Sequence, residues 1–218
     1  MVANLSAWSS RLWASIARLV LTAGRAGAGR AIGPLSFWLL WERITDLYYR
    51  PQSVRPGSLI RYVITKYRGP VVELTDGTIV SPGDAIAELH FDNANIAAQL
   101  SAPNVPGRET AWAWRIVKWA ISDLTVLAQE RKLPAEVKAL HGVTIIARGC
   151  RRAGFEVREL PRTRGNDLVR FFMLGLMTIY NPDGKRHLSI VDPNVYPAEI
   201  WLGRRALESR FSKRASLC

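Results

Sequence analysis

Ser81-Pro-Gly-Asp-Ala-Ile-Ala-Glu-Leu-His-Phe-Asp-Asn93 is the stretch from which the fold is read. Pro82-Gly83 is a turn signal, and the residues after it alternate in polarity. With 85–92 extended, Ala87, Leu89 and Phe91 point to one side and Glu88, His90 and Asp92 to the other. The pattern is a β-strand with an apolar back and a front that carries one imidazole and two carboxylates. Asp92 or Asn93 is also placed to cap a helix over residues 94–100.

Upstream, residues 59–67 are rich in β-branched and aromatic side chains, and Val71-Val-Glu-Leu74 leads through Thr75-Asp-Gly-Thr78 into Ile79-Val80. This predicts a meander of three or four short antiparallel strands with a tight turn at Asp76-Gly77. Pro103, Pro106 and Gly107 close that half.

Downstream the periodicity changes. Between Glu109 and Lys132 the polar residues Arg115, Lys118, Ser122, Thr125 and Gln129 form one narrow stripe. Trp112, Trp114, Ile116, Trp119, Ile121, Leu124 and Leu127 cover the rest, which predicts a largely buried helix. From Pro134, residues Ala139, Val143, Ile146, Cys150 and Ala153 recur at helical spacing up to Gly154. A strand is expected over 155–159, a helix over 166–179, a turn at Tyr180-Asn-Pro-Asp-Gly184 and a last helix opened by Pro197, with Ile200, Leu207 and Phe211 inward. Strands come first and helices follow, so the expected class is α+β, a small antiparallel sheet followed by packed helices.

The first forty-one residues are different. They hold Arg11, Arg18, Arg25 and Arg30 and no acid, while Leu5, Trp8, Leu12, Ile16 and Leu19 repeat at helical spacing. Such a basic amphipathic helix suits the headgroup plane of a membrane and packing against the domain or a partner equally, and the acid-free, Arg-rich start would also suit an organelle transit segment. No stretch has the ~20 apolar residues that span a bilayer. Gly24, Gly27, Gly29, Gly33 and Pro34 break the pattern, and residues 35–49 resume it as a second helix. The expected organisation is an extension over 1–34, a domain over 35–212 and a disordered tail over 213–218.

The 218 residues carry 30 Lys plus Arg against 18 Asp plus Glu, a net charge of +12. The partner expected from this is anionic: a lipid, a phosphate-bearing small molecule or a membrane surface. Nucleic acid is not expected, because no zinc-finger, RNP, KH or helix-turn-helix signature accompanies the charge. Only Cys150 and Cys218 are present, too few for a disulfide scaffold, and they point to a reducing compartment; with the basic extension, the expected location is cytoplasmic and peripheral to the membrane. Cys150 lies on the apolar side of its segment and is expected to be inert.

His90, with Asp92 and Glu88, is the candidate catalytic group, since a carboxylate beside an imidazole orients the ring and raises its basicity. Between Arg148 and Arg170 lie seven arginines against three acids. Arg151, Arg152 and Arg170, with Arg204 and Asn93, are the candidate ligand-binding residues, because the guanidinium fork matches phosphate and carboxylate. The other histidines, His141 and His187, share no metal-ligand spacing with His90, no serine-nucleophile elbow occurs, and neither a metal nor a resident cofactor is expected.

Trp41-Glu-Arg-Ile-Thr-Asp-Leu-Tyr-Tyr49, Lys66-Tyr-Arg-Gly-Pro70, Leu74-Thr-Asp-Gly-Thr78, Gly83 to Asn93 and Arg151-Arg-Ala-Gly-Phe-Glu-Val157 together resemble the bacterial YkoP-like domain family over about residues 38–212. The resemblance implies small proteins, or domains carried beside polysaccharide deacetylase domains, and a role near envelope polymers with no assigned reaction. Arg151-Arg-Ala-Gly-Phe155, a helix end running into a strand, also resembles acyl-CoA N-acyltransferases. In those enzymes a Gly-rich loop at a helix start seats the cofactor pyrophosphate, and Leu140-His-Gly-Val143 supplies one glycine. The expected function is a peripheral membrane protein that binds or processes an anionic envelope-related ligand, with His90 as acid/base or anchor. The alternatives are a non-catalytic binding or scaffold module, an acyl-CoA N-acyltransferase-like enzyme and nucleic-acid binding.

Overall fold

A computed structural model describes residues 47, 49–101, 112–180 and 194–211. The basic extension, nearly all of the helix expected over 35–49, the turn after Tyr180 with His187, and the C-terminal tail lie outside the described residues.

Along the chain the elements are β1 (Gln52–Ser53), β2 (Ile60–Lys66), β3 (Val72–Glu73), β4 (Ile79–Val80), β5 (Ala85–Phe91), α1 (Asn93–Ser101), α2 (Trp112–Gln129), β6 (Val137–Thr144), α3 (Ala147–Ala153), β7 (Glu156–Glu159), α4 (Arg164–Tyr180), β8 (Ala198–Gly203) and α5 (Arg204–Phe211). One six-stranded sheet has the order β1-β2-β5-β6-β8-β7, and β3 pairs with β4 in a separate two-stranded sheet. The class is α+β. Every neighbouring pair in the large sheet is antiparallel except β5 and β6, which run parallel.

Two expectations are corrected. The segment read as one helix from Pro134 to Gly154 is a central strand, β6, followed by the short helix α3. The segment after Pro197 enters β8 before any helix begins. Both strands have covered neighbours on either side and apolar residues on both faces, and an unbroken buried run lacks the alternation that marks a half-exposed strand. The sheet is therefore mixed and six-stranded, with helices interleaved among its strands. The β3–β4 hairpin does turn at Asp76-Gly77, where Gly77 takes a φ of 79° and donates to the Leu74 carbonyl, but it stands off the main sheet.

The alternation in β5 sorts the molecule into layers. Ala87, Leu89 and Phe91 face the larger core, with Tyr62, Leu140, Ile200 and Leu202 from the sheet and Ile96, Ile116, Leu124, Cys150, Leu207 and Phe211 from α1, α2, α3 and α5. Ile86 points the other way, into a second cluster with Ala139 and Trp201, which Val72, Leu74 and Val80 of the hairpin region cover. Asp123 secures α2. It is 1% exposed, accepts the backbone N–H groups of Leu59 at 2.7 Å and Ile60 at 3.3 Å, and takes the Arg55 guanidinium at 2.9 Å. Asp76 accepts the N–H groups of Thr78 and Ala206, tying the hairpin to the first turn of α5.

Candidate functional site

The strand alternation that sends Leu89 into the helical core puts Glu88 and His90 on the opposite face, away from the Trp-rich helix α2. Register places Arg61 of β2 directly across from His90, and His141 of β6 across from Glu88. On the far side of His141 come Trp201 and Glu199 of β8, then Arg158 of β7, the register partner of Glu199. A polar row thus crosses five strands.

The centre of that row is where β5 and β6 stop pairing. Their ladder runs from Ala85/Val137 to Glu88/His141, with Lys138 as an extra residue between the first two pairs. Beyond it β5 continues to Phe91, bonded only to β2, and β6 continues to Thr144, bonded only to β8. At this point a Cβ on Gly142 would come within 3.3 Å of the Leu89 carbonyl oxygen, a tight approach that glycine relieves.

His141 is 3% exposed and its Nε2 has no hydrogen-bond partner. Its ring lies 4.2 Å from that of Trp201, and Glu199 Oε1 is 4.0 Å from Nε2, too long for a direct bond. Burial, and then the charge of His90, depress its pKa to about 4, so the ring is neutral near pH 7. Its closeness to Glu199 does not make the two an ion pair. Burial raises the pKa of Glu88, and burial followed by the charge of Glu199 raises that of Tyr67. The Trp201 indole N–H donates to Glu199 Oε2 at 3.3 Å, and the Tyr49 ring lies 5.9 Å from that of His90.

The residues singled out from the sequence are only partly brought together. Asp92 lies just past β5 and heads α1, accepting the Asn95 N–H at 2.9 Å, with its other oxygen 3.7 Å from Arg61 Nε. Asn93 opens the same helix. Arg151 and Arg152 are exposed on α3, whose Cys150 packs into the helical core, so they stand on the other side of the sheet from His90. Arg170 of α4 donates to the Val195 carbonyl at 2.7 Å. Arg204 bonds to Glu208 and to the carbonyls of Leu133, Pro134 and Val137, joining the start of α5 to the approach to β6. The four arginines therefore do not form one clamp around His90. Cys150 is buried, and its pKa is pushed up to about 12 by that burial.

His141 and Glu199 were not singled out by sequence reasoning. Their sequence spacing carries no signal, because the parallel β5–β6 crossover and the insertion of β8 between β6 and β7 bring them there. The guanidinium that shares the face with His90 is Arg61. Among the described residues no group of three or more His, Cys, Asp or Glu side chains could hold a metal ion, and no helix is long and apolar enough to cross a membrane.

Mixed sheet, helical layer and polar face together define an α+β domain whose titratable side chains collect where two parallel strands cease to pair. The YkoP domain family model matches residues 33–211, and the chain belongs to that family. It is similar to the uncharacterized protein YkoP of Bacillus subtilis (strain 168), 27% identical over 125 residues that cover 56% of this chain and 68% of the relative. No solved structure matches the chain.

Proposed function

We propose that this domain binds and processes an anionic, envelope-related ligand on the sheet face that carries Glu88 and His90. The observation behind this reading is the convergence of Glu88, His90, His141 and Arg61 at the end of the β5–β6 ladder. A carboxyl whose pKa is raised by burial and an imidazole one strand repeat away divide acid and base roles between them. Arg61 offers the guanidinium for a phosphate or carboxylate. Ligands of sheet enzymes commonly lie beyond the carboxyl ends of adjacent parallel strands, and β5 and β6 are the parallel pair here. The protein would work at the cytoplasmic face of a membrane, held there by the Arg- and Trp-bearing first thirty-two residues, which precede the family match.

The test uses the whole chain and UDP-glucosamine as an anionic glycan-precursor probe. Arg61→Gln is expected to weaken binding about tenfold, whereas His90→Ala and Glu88→Gln leave binding within about threefold and abolish turnover of the probe. Binding unaffected by Arg61→Gln, or turnover that survives His90→Ala, rejects the reading. If binding is seen with no turnover in any variant, the domain is a non-catalytic binding module.

A second reading, acyl transfer from a coenzyme A thioester to an amine, is favoured by the unpaired inner edges of β5 and β6. Past the contact between Leu89 and Gly142, an extended arm bearing amide groups can add to such edges as a strand does. The amine nitrogen would attack the thioester carbon, the C–S bond would break with its electrons on sulfur, and Glu88 or His90 would take the amine proton and return one to the thiolate. Asp92 counts against seating the pyrophosphate at the head of α1, since its carboxylate already caps that helix. Acetyl-CoA that leaves the backbone amide resonances of residues 89–91 unmoved would exclude this second reading.

A further inference from the structure

We propose that the space between His141 Nε2 and Glu199 Oε1 receives an amino group of the ligand. The inference deepens the reading above and rests on it only for the face on which the ligand lies.

The two atoms are 4.0 Å apart. That is too far to bond to each other, yet a single nitrogen at about 2.9 Å from each would bridge them. His141 is almost wholly buried, and its Nε2 is left with no hydrogen-bond partner, an arrangement that costs stability unless something satisfies the atom. The ring is neutral near pH 7, and an ammonium bound beside it would draw its one proton to Nδ1, which leaves the Nε2 lone pair as an acceptor. Glu199 as a carboxylate is an acceptor as well. In that tautomer two acceptors face one gap and take a group with two or more donors, and the carboxylate's negative charge favours a primary ammonium among such groups. A phosphate has only acceptors to offer and is repelled by the carboxylate, while a neutral hydroxyl can donate to one side alone.

The surroundings suit a cation. The Trp201 indole N–H holds Glu199 Oε2, which leaves Oε1 for the gap, and its ring lies against His141. Arg158, opposite Glu199 in register, turns its guanidinium to the Glu73 carbonyl at 2.6 Å and towards Glu156 at 3.9 Å. Glu88 and His90 approach from β5, and Tyr67 lies on the far side of Trp201, their rings 5.4 Å apart. The Glu199 side chain is 21% exposed while that of His141 is 4% exposed, so an entering group would come past Glu199. The ligand class is thus one in which a primary amine accompanies the anionic part, such as an amino sugar or an ethanolamine headgroup.

The test is an NMR titration of the whole chain, labelled with nitrogen-15 in its histidines, at pH 7.5. The probes are glucosamine and ethanolamine, each against its N-acetylated form. The expected result is a shift of the His141 Nε2 resonance with both amines, at a Kd at least tenfold below that of the acetylated compounds. Glu199→Gln is expected to raise the amine Kd tenfold or more, and this partly exposed substitution leaves the core intact if His141→Phe fails to fold. An unmoved His141 resonance, equal response to the acetylated forms, or an unchanged Kd in Glu199→Gln overturns the proposal. Amine binding that is retained while Arg61→Gln and His90→Ala have no effect on the anionic probe defeats the anionic-ligand reading alone.

Discussion

His141→Gln changes the acid limb of the stability curve by an amount that follows from the burial of the ring. In the unfolded chain the imidazole titrates at its ordinary value near 6.5, whereas in the folded protein it takes a proton only near 4. Between those two values the unfolded chain binds more protons, so this group's contribution makes the protein less stable as pH falls from 6.5 to 4; above that window it contributes no loss. At pH 4.5 the linkage relation puts the loss at about 2 to 3 kcal/mol. Glutamine cannot titrate, so the variant's stability should fall by about that much less between pH 7.5 and 4.5 than the parent's. Urea unfolding of both proteins at the two pH values measures the difference, and carboxylates common to both cancel. Glu88, with its raised pKa, acts in the opposite sense, losing stability as pH rises above about 4.5, and Glu88→Gln in the same background separates the two effects. Identical pH dependences in parent and His141→Gln would refute the claim that the ring is buried as the neutral species.

Three further outcomes are expected. Asp123→Ala should cost about 3 kcal/mol in urea unfolding, because it strands two buried N–H groups and removes the partner of Arg55; a loss below about 1 kcal/mol would show that α2 is not secured there. Gly203→Ala places a methyl group on the Asp76 carboxylate, which must then release Thr78 and Ala206. A loss of about 2 kcal/mol is expected, and a variant as stable as the parent would contradict the contact. Cys150, buried and with a pKa near 12, should resist iodoacetamide at pH 8 in the folded protein and react in urea, as read by peptide mass mapping; rapid labelling of the native protein would count against its burial.

Strand β5 was legible from the sequence because it is half-buried. One face meets the helical core and the other does not, so Ala87, Leu89 and Phe91 alternate with Glu88 and His90. The Trp-rich helix was legible for the corresponding reason, its narrow polar stripe. β6 and β8 were not, because strands covered on both faces carry apolar residues at positions of either parity, and Ala139, Val143 and Ile146 match a helical spacing by accident. That one misreading hid the site. With β6 taken as a helix, His141 falls on an unrelated element and Arg151 and Arg152 become the nearest cations to consider. With β6 as the parallel neighbour of β5, His141 pairs with Glu88, Glu199 follows from β8, and Arg61 replaces the arginines of α3. A residue's chemistry was readable from its type and its neighbours along the strand, while its partners depended on which strand lies beside it. The β5–β6 pairing is therefore the structural fact on which the reading of the polar face turns. A disulfide test can address it directly: cysteines at Ala87 and Leu140, paired in register and facing the helical core, should crosslink when the chain refolds under mild oxidation in a background with both Cys150 and Cys218 replaced by alanine. Failure to crosslink would return His141 to a separate element and dissolve the amine gap with it.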